Sequence, residues 1–265
     1  MFDIYQVDSF TTERFKGNPA GVCVLNQFPD SKSMIEMARE MNLSETAFVV
    51  KDSNEFILKW FTPKFEIDLC GHATLATAHI LWTEGFWEKE KPIIFNTRSG
   101  KLIINLINDL IEMDFPCLEY SEVNEVPISL IEGLGGVTPI FTGKSRENYI
   151  IEVETEEEVR GIHIDIPKLL KCNMHGVIVT AKGSDKYDFV SRFFAPKVGV
   201  PEDPVTGSSH CVLVPFWSDR LGGTKFKAYQ YSERGGEINL ELLENRLLLR
   251  GNAVTIFKGN LLEKL

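Results

Sequence analysis

Apolar and polar residues alternate over residues 2–8, the period-two pattern of a half-buried strand. Gly17-Asn18-Pro19-Ala20-Gly21 predicts a turn, after which residues 22–25 return as a strand. Residues 31–41 place Ile35, Ala38 and Met41 on one helical face, behind Ser31 or Ser33 as a cap. Strands are predicted over 46–50 and 55–61, and Phe61-Thr62-Pro63 breaks the pattern. Leu69-Cys70-Gly71-His72 then leads into residues 73–81, an Ala-rich apolar run long enough for a buried helix, with Gly85 as its stop. Further strands fall at 93–97, 101–106 and 110–114, the last two joined by an Asn108-Asp109 hairpin turn.

Residues 116–127 are polar and aperiodic, which predicts a boundary between domains at 1–117 and 118–265. Strand patterns follow at 149–153, 176–181 and 187–194, with a helical stretch near 167–172. Residues 201–206 read as an extended break. Gly207-Ser208-Ser209-His210 leads into an apolar run over 211–221, and 225–262 alternates as a strand meander. Both halves thus read as strands, a Pro-containing break, a Gly with a polar follower, then a buried helix. That is an internal pseudo-repeat.

Net charge is −10, which opposes docking on nucleic-acid phosphates and gives no attraction to anionic membranes. A small anionic metabolite remains compatible, because local backbone dipoles outweigh a distant negative surface. Five cysteines, odd in number and without a CxxC pair, argue against a disulfide scaffold or structural zinc. The N-terminus shows no basic segment followed by an apolar run, so a cytoplasmic protein is expected.

Two helix starts carry the candidate chemistry. The first N–H groups of a helix lack intrahelical partners and lie at its positive end, and a preceding Gly lets a ligand approach them. Gly71 and Gly207 stand at such starts. Facing each other across a cleft, the two starts would bind carboxylates or a developing enolate; singly, each is ordinary capping. Glu45, in Asn42-Leu43-Ser44-Glu45-Thr46-Ala47-Phe48, is a solvent-facing residue on the commoner reading. Half screened by Leu43 and Phe48, it is alternatively a carboxyl with raised pKa, able to donate and accept a proton near neutrality. Asp203 reads as a turn residue or a second acid. His72 and His210 read most simply as satisfied structural residues. His72 and His79 lie seven apart and no HExxH occurs, so no metal is expected. With neither GxGxxG nor a Walker loop, no nucleotide cofactor is expected.

These residues resemble the phenazine-biosynthesis-like family, whose namesake isomerises trans-2,3-dihydro-3-hydroxyanthranilate. The matching pieces are Val7-Asp8-Ser9-Phe10, Gly17-Asn18-Pro19-Ala20-Gly21-Val22, Asn42 to Phe48, Trp60-Phe61-Thr62-Pro63, Gly71-His72-Ala73-Thr74 and Gly199 to Ser208. The resemblance implies an α+β fold of two pseudo-symmetric domains, each a strand-rich barrel-like sheet around a central helix, as in diaminopimelate epimerase. It implies an active-site cleft between the two domains, and a homodimer without metal or organic cofactor. Glu45 would shuttle a proton between carbons, while His72, Asp203 and Ser208, with Gly71, Gly207 and Asn18, would bind substrate or relay protons. The related epimerases use two cysteines; here Cys70 stands at the first helix start but Thr206 at the second. Three functions follow for comparison: a Glu45-dependent isomerase, a Cys70-dependent epimerase or racemase, and a non-catalytic small-acid binding protein.

Overall fold

In the computed structural model, which describes residues 3–261, the chain divides into two compact units, Met1–Asp114 with Leu249–Leu265, and Phe115–Leu248. The expected boundary after residue 117 therefore falls after Asp114, and the expected assignment of all of 118–265 to one domain is corrected. The last strand returns to the first unit because it pairs with the first strand, from Asp3 opposite Asn260 to Ser9 opposite Ala253. Phe2 and Leu262, each the end of a predicted strand region, lie outside the described residues.

The first unit contains β1 (Asp3–Ser9), β2 (Asn18–Leu25), α1 (Ser31–Met41), β3 (Thr46–Asp52), β4 (Glu55–Phe61), β5 (Glu66–Ile67), α2 (Gly71–Thr83), β6 (Ile93–Thr97), β7 (Gly100–Ile107) and β8 (Leu110–Pro116). The second follows with β9 (Ser121–Glu122), α3 (Ile128–Gly133), β10 (Phe141–Ser145), β11 (Asn148–Glu152), α4 (Glu156–Arg160), α5 (Ile166–Leu169), β12 (Gly176–Lys182), β13 (Phe189–Ala195), β14 (Val200–Asp203), α6 (Gly207–Leu221), β15 (Lys225–Gln230), β16 (Gly236–Leu243) and β17 (Arg246–Gly251). The returning strand is β18 (Ala253–Asn260).

The pseudo-repeat is visible in the pairing. In the first unit β1 and β2 are antiparallel, a crossover through α1 makes β3 parallel to β2, β4 turns back on β3, and a crossover through α2 makes β6 parallel to β4. The second unit repeats this with β10, β11, β12, β13 and β15, its final crossover passing through α6. Both crossover helices are apolar nearly all round, which suits a helix enclosed by sheet rather than lying on it. Ten of the thirteen α2 residues are buried. Within α6, Pro215 cannot donate to the carbonyl of Cys211, and the N–H of Leu118 takes that acceptor at 2.9 Å. The buried Trp217 indole N–H finds Thr180 Oγ1 at 2.9 Å, and its ring stacks on Phe189.

Two local expectations are corrected. The predicted turn over residues 17–21 is confined to its first residue, and Asn18–Leu25 is strand throughout. Gly17 alone carries the left-handed backbone, at φ +67°, where a Cβ would meet the Ser9 carbonyl oxygen at 2.1 Å. Pro19 is tolerated because pairing of β2 with β3 begins only at Gly21, so its missing donor leaves no gap there. Of the extended break expected over residues 201–206, residues 201–203 belong to strand β14, which pairs with β13. The Asn108-Asp109 turn has both residues at positive φ, as a tight hairpin requires.

Candidate active site

Glu45 sits between the end of α1 and the start of β3. Asn42 ends the helix in the left-handed region, its N–H bonded to the carbonyls of Ala38 and Arg39. Three residues on, the Glu45 carbonyl accepts from the Gly21 N–H at 3.2 Å, which pins this corner to β2. Gly21 is required by space: a Cβ there would lie 2.9 Å from Thr46 Oγ1 and 3.0 Å from its Cγ2.

The Glu45 side chain, 16% exposed, brings Oε2 to 3.3 Å from His72 Nε2. His72 is at the first turn of α2, buried, and held from several sides. Ser9 donates its hydroxyl to the His72 carbonyl at 2.8 Å, and the Asn18 amide lies 3.2 Å from Nδ1. Cys70 Sγ lies 3.5 Å from Nδ1 and 3.9 Å from Nε2. Cys70 is the residue preceding α2, and its side chain makes no cap hydrogen bond of standard geometry.

The proton balance of this cluster differs from the raised Glu45 pKa weighed on sequence grounds. Burial does push the Glu45 carboxyl upward, but the hydrogen bond and charge of His72, with a bond from Ser44, outweigh it and hold the carboxyl below its ordinary value. His72 is the counterpart: burial opposes its charge, yet the hydrogen bond and charge of the Glu45 carboxylate, with the contact to the Cys70 sulfur, raise it well above the ordinary imidazole. Cys70 itself is raised, chiefly by burial, and remains a thiol at neutral pH. The resting pair is therefore a carboxylate with a protonated imidazole. His72 departs from the satisfied structural histidine of the simplest reading.

His210 does not. Its ring is buried, its Nδ1 donates to the Thr206 carbonyl at 2.8 Å, and burial pushes its pKa down to about 4, so it stays neutral.

In the second unit, the Thr206 hydroxyl donates to Asp203 Oδ2, and Gln230 braces both. Its Oε1 accepts the Thr206 N–H at 2.8 Å, and its Nε2 donates to the Asp203 carbonyl at 2.7 Å and to Thr206 Oγ1 at 3.0 Å. Gly207 opens α6, and Ser208 is exposed on its first turn. Gln230 and Ser9 went unrecognised as supports in the sequence. Gln230 lies 24 residues from Thr206 inside an unremarkable strand, and no short-range signal marks it.

Three potential ligand side chains meet in this cluster. Ligand atoms of Glu45, Cys70 and His72 lie within 4.8 Å of one another. The spacing 45, 70, 72 matches no linear zinc pattern; folding assembles the group.

The model of the phenazine biosynthesis-like protein family matches residues 7–259. The chain belongs to the phenazine biosynthesis-like family. It is 47% identical over 260 residues to an uncharacterized isomerase of Halalkalibacterium halodurans, covering 98% of each chain. A crystal structure of a phenazine biosynthesis PhzC/PhzF protein from Clostridium difficile superposes with a TM-score of 0.91 at 44% identity, covering 98% of this chain and 99% of that one. A hydroxyproline epimerase from Agrobacterium vitis shares the fold, with a TM-score of 0.60 at 11% identity over 97% of this chain and 91% of the other. The fold is thus the α+β, epimerase-like one expected, and this phenazine biosynthesis-like chain is an isomerase. Among the described residues no helix is long and apolar enough to cross a membrane.

Proposed function

We propose that this isomerase moves a proton between carbon atoms of a small carboxylate metabolite, with the Glu45 carboxylate as base and then, once protonated, as acid. The observation that carries the reading is the buried ion pair of Glu45 with His72 at the start of α2. A carboxylate is a weak base toward carbon, so the carbon acid must be activated by an adjoining carboxylate or conjugated system whose developing anion the enzyme stabilises. The first N–H groups of α2 and the positive His72 ring suit that task. Glu45 accepts the carbon proton, His72 keeps the charge of the site balanced, and Glu45 returns the proton to a second carbon. Asp203 and Ser208, with Gly71, Gly207 and Asn18, belong to the proposal as groups that bind and orient the substrate, as does a homodimeric enzyme.

The test is wash-in of deuterium from solvent, followed by NMR across a panel of cyclic and amino-acid-derived carboxylates. A substrate is expected to exchange at specific carbons, and Glu45→Gln is expected to slow exchange by roughly 10²–10⁴-fold with the fold intact. Binding without exchange at any carbon would leave a small-acid binding protein. Exchange undiminished in Glu45→Gln would remove the assignment.

A further inference from the structure

We propose that Glu45, His72 and Cys70 together form a binding site for a thiophilic divalent cation of the zinc class, whose capture switches the acid/base pair off. The switching half rests on the function proposed above; the binding half does not. Three donors of different chemistry converge here, a carboxylate, an imidazole and a thiol, with their ligand atoms all within 4.8 Å of one another. Zinc bonds of about 2.0–2.3 Å in tetrahedral geometry require donor separations of roughly 3.4–3.6 Å. Oε2 to Nε2 is 3.3 Å, already a ligand separation, while Sγ lies 3.9 Å from Nε2 and 3.5 Å from Nδ1, so the Cys70 side chain must swing toward the Nε2 side of the ring to close the site. Three protein ligands leave a fourth position for water or a carboxylate, the arrangement of an open zinc site.

The surroundings support this. His72 Nδ1, the nitrogen not facing Glu45, lies 3.2 Å from the Asn18 amide. Turned so that its oxygen accepts Nδ1–H, that amide is the outer partner that orients a metal-bound histidine. The Ser9 hydroxyl on the His72 carbonyl and the Thr74 hydroxyl on the Cys70 carbonyl, at 2.6 Å, hold both backbones in place. The thiol selects zinc, cadmium or cobalt over magnesium and calcium, which prefer oxygen ligands alone. Capture replaces the thiol proton and the proton of the Glu45–His72 pair, so two protons leave as one divalent ion enters. The ion then occupies the Glu45 oxygen that would meet the carbon acid.

Cobalt(II) titration of the full-length, chelator-treated protein tests the site without any substrate. The expected result is a thiolate-to-cobalt charge-transfer band at one equivalent, displaced by zinc and unaffected by excess magnesium. Cys70→Ser is expected to abolish the band, and His72→Asn, which removes a direct ligand, to weaken zinc binding by more than the roughly 10–100-fold that loss of an outer partner costs. Circular dichroism confirms that each variant is folded; should one fail to fold, the other decides alone. A band that persists in Cys70→Ser, or equal zinc affinity in folded His72→Asn, overturns the site. Zinc that binds without slowing exchange would overturn the switch alone. Loss of exchange in Glu45→Gln bears on the catalytic reading independently of cobalt binding.

Discussion

Glu45 Oε2 and His72 Nε2 lie 3.3 Å apart, and this contact joins the residue that leads into a strand to the first turn of a helix 27 positions along the chain. Both side chains are largely buried, so each controls the protonation of the other more strongly than a surface pair would.

That coupling has a pH signature. Glu45 is held below its ordinary value, so its contribution to stability is complete above about pH 4.5 and is lost as pH falls through the lowered value. His72 is raised, so its contribution is complete below about pH 6.5 and is lost as pH rises through the raised value. The pair is therefore strongest between those limits. A double-mutant cycle with Glu45→Gln and His72→Asn, measured by urea unfolding, is expected to give a coupling of about 1–3 kcal/mol near pH 5.5. The coupling should be smaller near pH 9; equal values at both would show that the pair is not ionic.

Gly21→Ala would force a methyl group against Thr46, the residue next to Glu45. Overpacking of this kind costs about 1–3 kcal/mol, and the shift should displace the catalytic corner as well. Adding Thr46→Ala, which removes the two nearest atoms, is expected to recover most of the lost stability in the same urea series.

Gln230→Leu tests the brace in the second unit. The buried Thr206 N–H would lose its acceptor and the Asp203 carbonyl its donor. Leaving such groups unpaired costs about 1–3 kcal/mol each, so a total near 2–5 kcal/mol is expected by chemical denaturation. Gln230→Glu keeps the acceptor but sets a fully buried carboxylate oxygen against the Asp203 carbonyl, and should destabilise at neutral pH at least as much as the leucine variant.

Cys70→Ala separates the acid/base isomerase from a thiol-dependent epimerase. Burial keeps this thiol protonated, so solvent exchange in the variant is expected to fall by less than about tenfold. Complete loss of exchange in a folded Cys70→Ala protein would reinstate the thiol as a base.

Much of this protein was legible in the chain itself, because local patterns have local causes. The alternation of β4, the amphipathic face of α1, the Asn108-Asp109 turn and the two apolar runs that become α2 and α6 all depend on neighbours a few residues away. The motifs around Glu45, His72, Asp203 and Ser208 also carried the family, and with it the fold. What the chain could not disclose was decided by pairings across long separations. Only the ladder of β18 on β1 assigns the C-terminal strand to the first unit. Only the meeting of the Glu45 corner with the start of α2 turns an exposed-looking glutamate into a buried ion pair and brings Cys70 within reach of both partners. A carboxyl's protonation follows from its surroundings in space, and those surroundings come into being with the tertiary fold.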